Sequence, residues 1–93
     1  MFNIMMRCKV IDFNQFKAEF DADDSWRRSG GEQNFHLYRD TDDNSMVTVL
    51  LGWESLQTGQ LLVDSHQFRR QLQDGGVIGE PTFVFLNEIE SQN

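Results

Sequence analysis

Four segments of the chain have the residue pattern of β-strands. Residues 3–11 alternate between two sides, and residues 34–39 and 46–54 flank the polar connection 40–45, which predicts a hairpin. Pro81 precedes a last strand, predicted over residues 82–86. The sequence therefore predicts one strand, then a hairpin, then a fourth strand near the end of the chain.

Helical spacing follows the first strand. Asp12 stands where an N-cap residue is expected, and Phe13, Phe16 and Phe20 fall on one helical face. This pattern predicts a helix that runs to about residue 28 and ends at the glycine pair 30–31. Trp26 lies off the phenylalanine stripe, which places it at the edge of the core.

A second helical region follows the hairpin. Ser55 is a cap for a helix over residues 56–63, and Asp64 with Ser65 is a second cap signal. The helix that restarts there would bury Phe68 and Leu72 and end at the glycine pair 75–76.

The resulting order βαββαβ predicts an α+β, ferredoxin-like fold with a four-stranded antiparallel sheet, formed by residues 1–93 as one domain. Such a sheet is apolar on one face when the other meets water. Here Phe83 and Phe85 alternate with Val84 and Leu86, so both faces are apolar. Since two helices cover only one face, we expect the other to pack against a second copy of the chain, as a homodimer.

The charge of the chain excludes several partners. Eight basic and fifteen acidic residues give a net charge of −7, and a chain this acidic predicts no nucleic-acid partner and no attraction to an anionic membrane. No apolar run reaches the roughly 20 residues that span a bilayer. Arg7 and Lys9 interrupt the first apolar stretch, which argues against a signal peptide. The lone Cys8 fits a reducing compartment, so we expect a cytoplasmic protein.

Several stretches together resemble one known group of proteins. They are residues 37–43 (LYRDTDD), 49–54 (VLLGWE), 64–65 (DS) with Leu72, 76–81 (GVIGEP) and 85–86 (FL). In this set the chain resembles the antibiotic-biosynthesis-monooxygenase-like proteins of the dimeric α/β-barrel superfamily, over nearly its whole length.

The resemblance implies a homodimer whose two sheets form a barrel, with a pocket in each subunit between sheet and helices. It also implies that the protein either oxidises a small aromatic or quinol-like compound with molecular oxygen and no cofactor, or is a non-catalytic module that binds a small ligand. Haem-degrading relatives carry a tryptophan and a histidine where this chain has Leu62 and Leu72. Many small relatives have a histidine near Asp23, which this chain lacks.

His36 and Tyr38 are the candidate catalytic pair. They project from the same face of their strand, two residues apart. Oxygenation without a cofactor requires a substrate that is deprotonated in a dry pocket, and a histidine with a tyrosine hydroxyl can transfer that proton. The alternative is that the two rings only pack together.

Trp53, Trp26 and Phe68 are the predicted lining of the ligand pocket, although Trp53 could instead seal the core or the dimer seam. Arg7 and Lys9 would face the second sheet and require acidic partners across the dimer, or an anionic ligand.

The pattern predicts no metal site. Residues 40–51 begin like a calcium loop, but they carry Ser45 where glycine is required and Leu51 where a bidentate glutamate is required. The two histidines and the cysteine have no zinc spacing. His66 follows a cap signal and is expected in solvent, and Cys8 is expected to be an inert buried thiol.

Overall fold

A four-stranded antiparallel sheet with helices on one side forms the protein, as a computed structural model that describes residues 2–92 shows. The strands lie in the order β2-β3-β1-β4. The elements are β1 (Phe2–Val10), α1 (Phe13–Ala22), α2 (Asp24–Gly30), β2 (Glu32–Arg39), β3 (Met46–Trp53), α3 (Leu56–Asp64), α4 (His66–Asp74) and β4 (Val77–Asn87). This is the ferredoxin-like α+β arrangement that the sequence predicts.

The core lies between the helices and one face of the sheet. The alternating residues of the two central strands are almost wholly buried there; they are Ile4, Met6, Cys8 and Val10 of β1 and Val47, Val49, Leu51 and Trp53 of β3. The helices contribute Phe16, Phe20, Leu62, Phe68 and Leu72. The side chains that the 3.6-residue and two-residue periods place inward are therefore the ones that form the core.

The predicted caps begin the helices. The side chain of Asp12 accepts a hydrogen bond from the Asn14 backbone N–H, and those of Ser55 and Ser65 accept from the Thr58 and Phe68 N–H groups. Each bond satisfies one backbone donor that a helix start otherwise leaves without a partner.

Two element boundaries differ from the prediction. The first helix is divided at Asp23, whose backbone (φ −93°, ψ 6°) leaves the helical region and starts α2 in a new direction. The last strand begins at Val77 rather than after Pro81. Because β4 is an edge strand, Pro81 can lie within it without breaking a central ladder, and the register with β1 shifts between Arg7 and Lys9.

The face of the sheet away from the helices, here called the open face, has an apolar middle. Cross-strand register places Leu50 beside Met5 and Met5 beside Val84, with Leu86 two residues further along β4. Val84 and Leu86 are exposed in the single chain. Polar residues flank this middle row on both sides: Asn34, Asn3, Tyr38, Thr48, Arg7 and Thr82.

Arg7 finds its partner within its own chain, so the expectation that its charge is met across the dimer or by an anionic ligand is wrong. Its two terminal nitrogens donate to the two carboxylate oxygens of Asp40 at 2.8 and 2.7 Å. The hydrogen bond and charge of Arg7 lower the pKa of Asp40. This bidentate pair links β1 to the end of β2.

Candidate functional site

A cleft of about 330 Å³ opens between α2 and α3, above the end of β3. Its lining residues are Trp26, Arg27, Ser29, Gly30, Trp53, Thr58, Leu61, Leu62 and Ser65. The surface they present is mostly apolar. Volume and lining are those of a site for a small, largely apolar molecule.

Trp53 forms the inner wall of the cleft. It is the last residue of β3 and is 1% exposed, and its indole ring lies against the glycine pair at the end of α2. A Cβ on Gly31 would stand 2.8 Å from the indole Nε1, and φ of Gly31 is +132°, so only glycine fits there. Trp53 thus closes the core and also forms a wall of the cleft, so both proposed places for it are occupied.

Trp26 is the second aromatic wall. It is half-buried on α2, and its ring is stacked on that of Phe68, with 6.3 Å between centroids and 14° between planes. Phe68 itself is buried in the core behind Trp26 and is not among the residues that line the cleft. Two of the three predicted pocket residues therefore line the cleft, and the third supports one of them.

Arg27 is the only charged residue among those that line the cleft. Its side chain is 2% exposed; Nε donates to Glu32 Oε2 at 2.6 Å, and Nη1 donates to the Phe20 carbonyl oxygen at 2.7 Å. The guanidinium carbon lies 3.6 Å from the centre of the Phe20 ring. Arg27 is therefore held rigidly by an ion pair, a backbone acceptor and a cation–π contact.

The sequence analysis missed the pair of Arg27 and Glu32. A signal for it exists, because Arg27 follows Phe20 by seven residues, which is close to two helical turns and continues the stripe of Phe13 and Phe16. An arginine on an apolar stripe, five residues before a glutamate that starts a strand, indicates a buried ion pair. The division of the helix at Asp23 does not remove Arg27 from the core side.

The predicted catalytic pair lies on the other side of the sheet from the cleft. His36 and Tyr38 project from β2 onto the open face, opposite Leu50 and Thr48 of β3. Their rings are stacked, with centroids 6.4 Å apart, and Tyr38 is 54% exposed. The structure brings the two residues together, as predicted, but not to the tryptophan cleft, and their catalytic role stays a prediction.

The remaining candidate groups have simple environments. Cys8 is buried, and burial raises its pKa to about 11, so the thiol is protonated and unreactive at neutral pH. His66 is exposed at the start of α4, as predicted. Within residues 2–92, no three histidine, cysteine or acidic side chains are grouped as metal ligands, and no helix is long and apolar enough to cross a bilayer.

A carboxyl group near Arg27 has an unusual pKa. A side-chain hydrogen bond with Asp23, together with partial burial and the charges of Asp23 and Asp74, raises the pKa of Glu19 to about 7. The folded state thus prefers Glu19 protonated, whereas the unfolded chain ionises it at its ordinary value of 4.5. The favourable contribution is complete below pH 4.5 and is lost as the pH rises to about 7.

We therefore expect Glu19→Gln to stabilise the protein at pH 8 and to change its stability little at pH 4.5. Urea unfolding at both pH values measures this as a higher midpoint for the variant at pH 8 only. Glu90→Gln, which removes a carboxylate from the exposed segment after β4, is the control. Equal shifts at both pH values would show that relief of Glu19 ionisation is not the cause.

Comparison with known proteins places this geometry among solved structures. No protein-family model matches the chain, and no curated protein does. A cofactor-independent oxygenase from Streptomyces nogalater, 11% identical, superposes with a TM-score of 0.77 over 97% of this chain and 94% of that one. A proposed antibiotic biosynthesis monooxygenase from Bordetella bronchiseptica, 15% identical, gives 0.76 over 96% and 97%.

A third structure of the same description, from Caulobacter crescentus, is 16% identical and has a TM-score of 0.73 over 96% of this chain and 90% of that one. At these identities the comparison establishes the fold. The chain thus has, over nearly its whole length, the fold of proteins described as antibiotic biosynthesis monooxygenases, the group that its sequence resembles.

Proposed function

We propose that the protein is a homodimeric oxygenase that uses no cofactor and oxidises a small aromatic or quinol-like compound held in the tryptophan cleft. The observation that carries this proposal is the cleft itself, with two indole walls and an apolar lining, in a fold shared with a cofactor-independent oxygenase. The lone buried Cys8, which has no second cysteine to pair with, supports a cytoplasmic location.

The chemistry requires the substrate to supply all the electrons. An anthrol ionises at its hydroxyl group and transfers electrons directly to dioxygen; one oxygen atom ends in a new carbonyl group of the quinone, and the other leaves as water. The protein must bind the ring, exclude water and favour the ionised form. The apolar walls of the cleft serve the first two needs, and the positive charge of Arg27 serves the third.

The homodimer is proposed from the open face. Leu50, Met5, Val84 and Leu86 form a continuous apolar strip across three strands, and the two on β4 are exposed in the single chain. Burial of an apolar strip of this kind against its own copy, with the polar flanking rows as a rim, is the usual composition of a symmetric interface.

A second candidate function is a non-catalytic module that binds a small ligand. One observation favours it: the nine residues that line the cleft include no histidine, tyrosine, lysine, aspartate or glutamate that could act as a general base. Such a module would bind aromatic compounds without consuming oxygen.

Oxygen uptake in the presence of anthrols and hydroquinones separates the two functions. We expect uptake by the wild type and a loss of at least about tenfold in Ser29→Trp, because the new indole would fill the cleft and displace the substrate. Ser25→Trp is the matched control, since Ser25 is exposed on the same helix but does not line the cleft. Absence of uptake with every compound would leave only the binding module.

The same assay tests His36 and Tyr38. If the chemistry takes place in the cleft, His36→Ala and Tyr38→Phe should retain most of the oxygen uptake, because both residues lie across the sheet from it. Uptake that is lost in these two variants and kept in Ser29→Trp would instead assign the chemistry to the open face and to the predicted catalytic pair.

A further inference from the structure

Two hydrogen-bond donors of the cleft residues lack acceptors. Arg27 Nη2 and Trp53 Nε1 are both buried, and neither donates a hydrogen bond within the described residues. The nearest carboxylate oxygen to Arg27 Nη2 is Asp24 Oδ1, at 3.6 Å, too far for a hydrogen bond. Buried donors without a partner are rare because each one loses its hydration and gains nothing in return.

Charge makes the same residues notable. The chain has a net charge of −7, yet the one charged side chain that lines the cleft is a cation. Glu32 engages the Nε side of Arg27, and the Phe20 carbonyl engages Nη1, so the third nitrogen is the one left to bind another group. An acceptor that supplies negative charge would satisfy it best.

We propose that the cleft binds a planar aromatic anion, whose ring lies between the tryptophan walls and whose ionised oxygen accepts hydrogen bonds from Arg27 and Trp53. The apolar lining and the two indole rings select the ring, and the two free donors select the charge. The inference rests on the cleft being the ligand site of the proposed function, but not on any reaction with oxygen.

The test compares 2-naphthoate with 2-naphthamide, its neutral isostere, by isothermal titration calorimetry at neutral pH. We expect the wild type to bind naphthoate about tenfold more tightly, since a hydrogen bond to a charged group contributes more than one to a neutral group. Equal affinities, tighter binding of the amide, or no binding of either compound would overturn the proposal.

Variants assign the preference to named donors. Arg27→Met combined with Glu32→Leu removes both charges of the buried pair and should abolish the preference for naphthoate. Glu32→Gln keeps Arg27 and removes its counter-charge, so naphthoate should bind more tightly than to the wild type. Trp53→Phe, which deletes Nε1–H and keeps an aromatic wall, should weaken naphthoate more than naphthamide.

Arg28→Met is the matched control, because Arg28 adjoins Arg27 on α2 but is exposed and does not line the cleft. A preference that falls equally in this variant would reduce the effect to overall charge and overturn the proposal. The cooperativity of urea unfolding shows that each variant is folded. Selective naphthoate binding without oxygen uptake would keep this inference and remove the oxygenase, and uptake without selectivity would do the reverse.

Discussion

Leu50→Asp is expected to convert the protein from a dimer into a folded monomer. Leu50 lies in the middle row of the open face, next to Met5 across the sheet. Two-fold symmetry would place the new carboxylate in the interface twice, and each buried, unpaired charge costs several kcal/mol. The dimer should therefore weaken by more than about a thousandfold.

Light scattering coupled to gel filtration at micromolar concentration measures this change directly. Leu56→Asp makes the same substitution at an exposed residue of α3, on the helix side of the sheet, and should leave the dimer intact. A wild-type protein that elutes as a monomer, or a Leu50→Asp variant that remains a dimer, would remove the open face as the interface. Far-UV circular dichroism shows whether the monomeric variant keeps its helices.

Residue patterns predicted the fold because local signals and burial agree along most of the chain. Asp12, Ser55 and Ser65 are capping residues in the sequence and accept capping hydrogen bonds in the structure. The two glycine pairs end the helical regions, and the alternation of β1 matches its buried side. The division at Asp23 could not be predicted, because the phenylalanine spacing continues across it and the break depends on tertiary packing.

The site was less predictable, because its residues come together only through tertiary contacts. Trp26 and Trp53 are 27 positions apart, and no periodicity relates them. The alternation of β2 correctly places His36 and Tyr38 on one face, but a strand pattern does not say which face meets the helices. Arg27 was missed because an arginine in a helix is normally assigned to solvent.

The second large effect is expected at the buried ion pair. Arg27→Met alone should destabilise the protein by about 3–5 kcal/mol, since it leaves the Glu32 carboxylate buried without its partner. Both side chains are 2% exposed, so water cannot replace the lost 2.6 Å hydrogen bond without opening the core. Arg28→Met, on the exposed side of the same helix, should cost less than about 1 kcal/mol.

The double variant Arg27→Met, Glu32→Leu should recover most of that loss, because two apolar side chains of similar length need no compensating charge. Urea unfolding of the wild type, both single variants and the double variant gives the coupling energy between the two positions. Additive effects would mean that Arg27 and Glu32 act independently, and the rigid guanidinium on which anion binding in the cleft depends would then lack its anchor. A large positive coupling would show instead that Glu32 holds Arg27 in place while its third nitrogen stays free for a ligand.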